Sequence, residues 1–317
     1  MRFDTATPGR LVLRDGDVAL AEYVYEPDDA PVESPRPYAT LRTRAGRDVT
    51  AYRPDDHVWH KGLSLALPYV GDANFWGGPT YVHDEGYVQL PNNGAQVHRG
   101  FAASDTPLAD AVAGLARVDE QLDWVTADGT TILTEARTLT ATGIDDESWA
   151  LTWSSRLTNV SDAPLAFGSP TSHGRPDAGY AGIFWRGPAD FTGGTITGPS
   201  GAVGDAARGS ASPWLAYTSP DGGAGVVVLD ARSDESPWFA RSEEYAGLCP
   251  APFFYDETVL EPAATLHLGA VVIVGGADAA AHAPITGANL VAAVRSEADV
   301  PGTVDPGPAA PPTEDQA

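Results

Sequence analysis

The chain has 317 residues and a formal net charge of −24, with 19 basic against 43 acidic side chains, and 43% of it is hydrophobic. That length suits one large β domain or two ordinary ones, with enough apolar material for a sizeable core. Nineteen dispersed cations cannot displace the counterions of a phosphate backbone, which argues against nucleic-acid binding and disfavours an anionic membrane surface as well.

Short alternating or β-branched runs start at once, at Arg10–Arg14 and Val18–Tyr25, and recur at Ala150–Thr158, Gly225–Asp230 and Leu266–Val274. The 34 glycines and 27 prolines punctuate them every ten residues or so. Period-two runs with regular turn residues predict an all-β sandwich or barrel. Asp128-Gly129 between two such runs predicts a hairpin turn, and Asn159–Pro164 a second turn. Helical patterns are few: Asp105–Asp110 has a capped helix start, and Gly287–Arg295 reads as a C-terminal helix. Residues 1–297 show no internal linker or short repeat, so a single domain of many antiparallel strands with few short helices is expected. Residues 298–317 are rich in Pro, Ala and acids and read as a disordered tail.

Cys249 is the sole cysteine, flanked by Leu248 and Pro250, so no internal disulfide exists and burial as a small hydrophobe is expected. Met1-Arg2-Phe3-Asp4 lacks the apolar stretch of a signal peptide, and no run approaches the roughly 18 apolar residues of a membrane span. A cytoplasmic protein is the expectation.

The segment Asp55–Gly62 concentrates chemistry: His57 and His60, Asp55 and Asp56, Trp59, and Lys61, the only lysine. A lysine's pKa shifts readily on burial, which suits catalysis where arginine does not. His57 and His60, three apart, share a face on a helical turn and oppose each other on a strand. An isolated His-x-x-His is more often two loop histidines bonded to carboxylates. Here Asn74-Phe75-Trp76-Gly77-Gly78 offers aromatic surface for a sugar ring, and His83, Glu85 and His98 follow. Such a set supplies general acid and base groups. His57, His60 and His98 are also weak candidates to ligate a divalent metal, although their irregular spacing is a poor match to known sites. Downstream, His173 lies in a polar loop, and Phe184-Trp185-Arg186 and Trp238-Phe239-Ala240-Arg241 repeat an aromatic-plus-arginine theme. That theme fits cation–π stacks at strand ends or a polar, aromatic-lined cleft. His267 and His282 read as structural. There is no phosphate loop, dinucleotide fingerprint or Gly-x-Ser-x-Gly elbow.

Asp56–Ser64, Asn74–Tyr81, Gly94–Arg99, Gly174–Tyr180 and Phe184–Arg186 together resemble a bacterial family of unknown function that often carries the label "methane oxygenase PmoA". The resemblance covers roughly residues 36–275, with Val58 where many members have proline. A membrane oxygenase subunit needs spanning helices, so the label does not describe the activity. The family is similar in strand-rich layout to the galactose-mutarotase-like β-supersandwich. The resemblance implies a sugar-active fold using histidine and carboxylate acid–base pairs. Where a mutarotase glutamate would fall, near Pro252–Tyr255, this chain has aromatics, leaving Glu243 or Glu244 as substitutes.

The expectation is therefore a carbohydrate-active enzyme acting by hydrolysis, elimination or isomerisation on a small sugar or glycoside. His57 or His60 would be the acid or base, Lys61 and Arg186 would neutralise oxyanion charge, and His98 would orient or share the proton. Trp76 and Trp238 would stack on the ring, with Asn74, His83, Glu85, His173 and Arg241 as further ligand contacts. No cofactor is expected unless a divalent metal is bound. The alternatives are a non-catalytic carbohydrate-binding protein and a histidine-ligated metalloenzyme.

Overall fold

Two large antiparallel sheets share one apolar core. The computed structural model describes residues 1–102, 115–232, 235–298 and 303–304. The smaller large sheet has eight strands, in the order Arg2–Thr7, Arg10–Asp15, Val18–Val24, Tyr38–Leu41, Leu63–Ala66, Gly182–Arg186, Gly247–Pro250 and Trp238–Arg241. The larger runs from Gly201–Ala202 through Thr195–Gly198, Trp214–Thr218, Gly225–Asp230, Thr265–Gly275, Trp149–Asn159, Thr131–Gly143 and Leu115–Val125 to Ala95–Phe101. The expected all-β sandwich is thus present.

Strand periodicity sorts the side chains. Leu13, Leu41, Leu65 and Trp185 of the eight-stranded sheet meet Trp124, Leu139, Trp153 and Val272 of the larger one in a single core cluster. Gly225–Asp230 is buried along its whole length. Its second face, with Val271 and Ile273, is covered by Val291 and Val294 of the helix Ala288–Ala298. A strand packed on both faces reads as a continuous apolar run, which is why Val226-Val227-Val228-Leu229 does not alternate. The expected C-terminal helix is therefore a lid on the outer face of the larger sheet.

The Asp128-Gly129 turn joins Leu115–Val125 to Thr131–Gly143, with Val125 paired to Thr131 and Gly129 at φ +90°. The Asn159 turn instead moves the chain between sheets. Trp149–Asn159 lies in the large sheet, whereas Leu165–Gly168 pairs with Tyr69–Val70 and Thr258–Leu260 in a small sheet of three strands. Asn159 holds the corner: its Nδ2 donates to Leu260 O at 2.8 Å and Ala163 O at 2.9 Å. The expected helix at Asp105–Asp110 and nearly all of the expected tail at 298–317 lie outside the described residues.

On the outer face of the eight-stranded sheet, Ala66, Phe184, Phe239 and Cys249 join Trp76, Tyr245 and Phe254 in a third cluster. Cys249 is buried there, and burial pushes its thiol well above the ordinary range, as expected of a small core hydrophobe. This aromatic floor carries a cleft. No helix among the described residues is long and apolar enough to cross a membrane.

Candidate functional site

A cleft of about 290 Å³ opens above that floor. Its walls come from four segments distant in sequence: His57, Trp59 and His60; Trp76, Gly77, Pro79 and Tyr87; Arg175 and Tyr180; and Phe239, Arg241, Glu244 and Tyr245. Eight of the thirteen lining residues carry aromatic rings, two of them imidazoles, and two guanidinium groups and one carboxylate join them.

The imidazoles are set by a tight turn. His57 N donates to Pro54 O at 3.0 Å and His60 N to His57 O at 2.9 Å, so the chain coils once and brings both side chains to one face. Their rings stack at 4.5 Å with planes only 5° apart. Behind them Arg186, at the end of Gly182–Arg186, reaches both halves of the turn. Its Nη2 donates to Asp56 Oδ1 at 2.9 Å and Oδ2 at 2.8 Å, and its Nη1 donates to His60 Nδ1 at 3.2 Å. The guanidinium also lies 4.0 Å over the Tyr245 ring.

This arrangement separates the two histidines chemically. A guanidinium only donates, so Nδ1 of His60 accepts and its proton sits on Nε2. His60 is 2% exposed. Burial, and then repulsion from His57 and Arg186, hold its pKa well below the ordinary 6.5. It is a neutral, locked ring. His57 is more open, and its Nδ1 lies 3.0 Å from Asp56 Oδ2. A carboxylate only accepts, so Nδ1 of neutral His57 carries the proton and Nε2 is the basic nitrogen. Burial pushes the Asp56 carboxyl upward, but hydrogen bonds from His57 and Arg186 outweigh it, and the group is held below the usual carboxylate range. Asp56 therefore stays ionised behind His57.

The frame beneath the cleft is Arg36, which is fully buried. Its Nη2 donates to Trp59 O at 2.7 Å, and its Nη1 donates to Trp76 O at 2.9 Å and Ser34 O at 3.1 Å. One guanidinium thus ties two cleft segments together. Burial lowers its pKa to about 10, opposed by Asp29 and Glu33, so it remains charged at neutral pH. Gly77 and Gly78 complete the frame with φ of +99° and +68°. A Cβ at Gly78 would fall 2.7 Å from the Trp59 indole, so the indole lies directly on this backbone.

The structure gathers His57, His60, Trp76 and Arg241 at the cleft, with Arg186 behind them. The other expected site residues lie elsewhere. Lys61 points away from His60 and is completely buried. Its Nζ lies 3.0 Å from Asp29 and bonds Glu33, so it is a structural ion rather than an oxyanion partner. Trp238 faces the core at 0% exposure, with Nε1 donating to Ser212 O at 2.8 Å, so it cannot stack on a ligand. The cause is strand alternation: Phe239 and Arg241 take the cleft face, Trp238 and Ala240 the core face. His98 sits on Ala95–Phe101 in the other sheet, 2.6 Å from Glu120 and against Tyr25. It belongs to a buried polar network in which Arg137 bonds Glu135, Tyr23 and Gln96.

Asn74 is buried and acts through the backbone, its Oδ1 accepting from Trp76 N at 2.8 Å and Gly77 N at 3.0 Å. It shapes the loop and does not line the cleft. His83 and Glu85 are exposed in the hairpin between Thr80–Val82 and Gly86–Val88, outside the lining residues. His173 stacks on Tyr69 at 3.8 Å, with Nε2 2.9 Å from Glu257. Of the weak metal candidates, His57 and His60 adjoin but His98 lies in the other sheet, and no group of three His, Cys, Asp or Glu side chains suited to a metal occurs among the described residues. His267 and His282 have structural partners in Ser154, at 2.8 Å, and Asp145, at 3.2 Å.

Trp59, Tyr87, Arg175, Tyr180, Phe239 and Tyr245 were not expected as site residues, and neither was the buried Arg36. Trp59 was within reach, since it stands inside Asp55–Gly62. The tyrosines carry no local pattern, because three segments far apart in sequence deliver them.

Solved structures match parts of the chain at low identity. A heparan sulfate lyase HepC mutant from Pedobacter heparinus matches with TM-score 0.42 and 10% identity over 87% of this chain and 37% of the lyase chain. A GH36 α-galactosidase AgaA variant from Geobacillus stearothermophilus, in complex with raffinose, matches with TM-score 0.45 and 13% identity over 85% and 41%. The Slr1438 protein from Synechocystis sp. PCC 6803 matches with TM-score 0.39 and 12% identity over 85% and 96%. The chain thus spans about two fifths of the first two proteins. No curated protein matches it significantly in sequence. The family model for a family of unknown function, DUF6807, matches residues 10–283, and the chain belongs to that family.

Proposed function

We propose that this protein binds a sugar or glycoside in the aromatic cleft and acts on it by proton transfer, in a hydrolysis, elimination or isomerisation. The observation that carries the reading is the Asp56–His57 pair at the cleft wall, at 3.0 Å, with Asp56 clamped by Arg186. A carboxylate that orients an imidazole makes a general base or acid. Glu244 is the one carboxylate among the lining residues and the natural second proton-transfer group. Trp59, Trp76 and Tyr180 supply apolar surface for ring faces, and two packed antiparallel sheets support a supersandwich of the galactose-mutarotase-like kind. The test is to assay His57→Ala and Glu244→Gln against a glycoside panel on which the parent protein is active. Loss in either variant with an unchanged fold supports the reading, whereas full activity in both overturns it.

The non-catalytic reading also has an observation in its favour. Of the four histidines between 57 and 98, one is locked by Arg186 and two lie outside the cleft. It predicts sugar binding without turnover, equal in the parent protein and in Asp56→Asn.

A further inference from the structure

We infer that the sugar carries an anionic group, a carboxylate or a sulfate, and that Arg175 receives it. This rests on the sugar-binding reading above and narrows its substrate class.

Across the chain acids outnumber bases 43 to 19, yet the cleft lining reverses that ratio, with Arg175 and Arg241 against Glu244 alone. Arg241 is answered internally, since its Nη1 donates to Glu244 Oε2 at 2.8 Å. Arg175 is not. Its Nη1 donates to the Tyr87 hydroxyl and its Cζ lies 4.7 Å over the Tyr87 ring. No carboxylate among the described residues pairs with it. A guanidinium has five donors in a planar fork that matches a carboxylate or sulfate edge. Among the described residues only Nη1 of this fork has a hydrogen-bond partner.

The group is also held in place before any ligand arrives. Tyr87 and Tyr180 hydroxyls are 2.9 Å apart, so the ring under Arg175 is braced from the cleft floor. Arg175 N donates to Pro170 O at 2.8 Å. Gly174, at φ +97°, allows the loop to press on the neighbouring hairpin, since a Cβ there would meet His83 Nδ1 at 2.4 Å. A pre-positioned cation loses little freedom on binding. It also matters more here than in a neutral protein, because a net charge of −24 repels anions at long range and only a local cation can hold one.

The experiment is a calorimetric binding series with methyl glycosides of the gluco, galacto and manno series. Each is compared as the neutral sugar, its uronate and its 6-sulfate, with the parent protein, Arg175→Gln and Arg175→Lys, all checked for fold by circular dichroism. The expected result is an acidic form bound on the order of tenfold more tightly than its neutral parent. That preference should vanish in Arg175→Gln, recover in part in Arg175→Lys and weaken with salt. The uronate and sulfate arms tell which anion is preferred. Neutral sugars bound as well as acidic ones by the parent protein would overturn this inference and leave the sugar reading standing. An acidic preference that survives in Arg175→Gln would overturn the role of Arg175. Binding of none of the sugars would overturn both readings.

Discussion

Arg186 and His60 are joined by a hydrogen bond of 3.2 Å in which the guanidinium donates to Nδ1. The bond fixes the imidazole neutral, and a proton arriving at Nδ1 must break it. Burial and the neighbouring cations hold the His60 pKa well below the 6.5 of a free imidazole. In the unfolded chain His60 takes up a proton near that ordinary value, so the unfolded state gains protons first as pH falls. His60's contribution to stability is complete above about pH 6.5, declines as pH drops below it, and is fully lost only at the depressed folded value. Urea unfolding between pH 7.5 and 5 should show this decline, and His60→Gln should flatten it. An identical slope in the variant would refute the assignment.

His57 should behave differently from His60 in function. His57→Ala is expected to lower turnover by about 10²–10⁴ with little change in melting temperature, because the side chain is partly exposed at the cleft wall. His98→Ala is expected to leave turnover intact, since His98 lies in the other sheet beside Glu120. Steady-state kinetics on the same substrate distinguishes the two.

Arg36 holds the carbonyls of Trp59 and Trp76 at 2.7 and 2.9 Å. Arg36→Met removes the buried charge and leaves several buried acceptors without a donor. A loss of about 3–5 kcal/mol is expected in chemical denaturation. Ligand binding should weaken as well, because both tryptophan segments depend on this one clasp. Stability within about 0.5 kcal/mol of the parent protein would show that the clasp is dispensable.

Trp238 and Arg241 belong to one strand but to opposite faces. Trp238→Ala empties a core site and should cost about 3–5 kcal/mol. Arg241→Gln should cost under about 1 kcal/mol, since its partner Glu244 is largely solvated and is not left as a buried charge, while weakening ligand binding. Thermal melts paired with ligand titration read both effects.

Lys61→Met tests the solitary lysine. It strips Asp29 of its cation and leaves Glu33 with Arg53 alone. Destabilisation of about 3–5 kcal/mol is expected with kcat unchanged in the folded fraction. A large fall in kcat at constant stability would return Lys61 to the active site.

Much of this was legible in the linear chain. Alternation with regular Gly and Pro turns specified antiparallel sheets, because a strand with one buried face must alternate. The cluster Asp55–Gly62 pointed to the cleft because its turn is local: hydrogen bonds from His60 to His57 and from His57 to Pro54 need no distant partner. The aromatic run at Phe184–Arg186 and Phe239–Arg241 gave the right strands and, at Trp238, the wrong face.

Local sequence therefore determined the strand content, the His57–His60 turn and the chemistry available at positions 56–60. Only the tertiary structure decided which neighbours share that chemistry. Strand pairing brought Arg186 behind His60 across 126 residues, carried His98 into the other sheet, and turned Lys61 into a buried ion partner of Glu33. The reason is geometric. Alternation tells which residues share a face of one strand, but which face meets the core and which strands become neighbours depends on sheet order, a property of the whole chain.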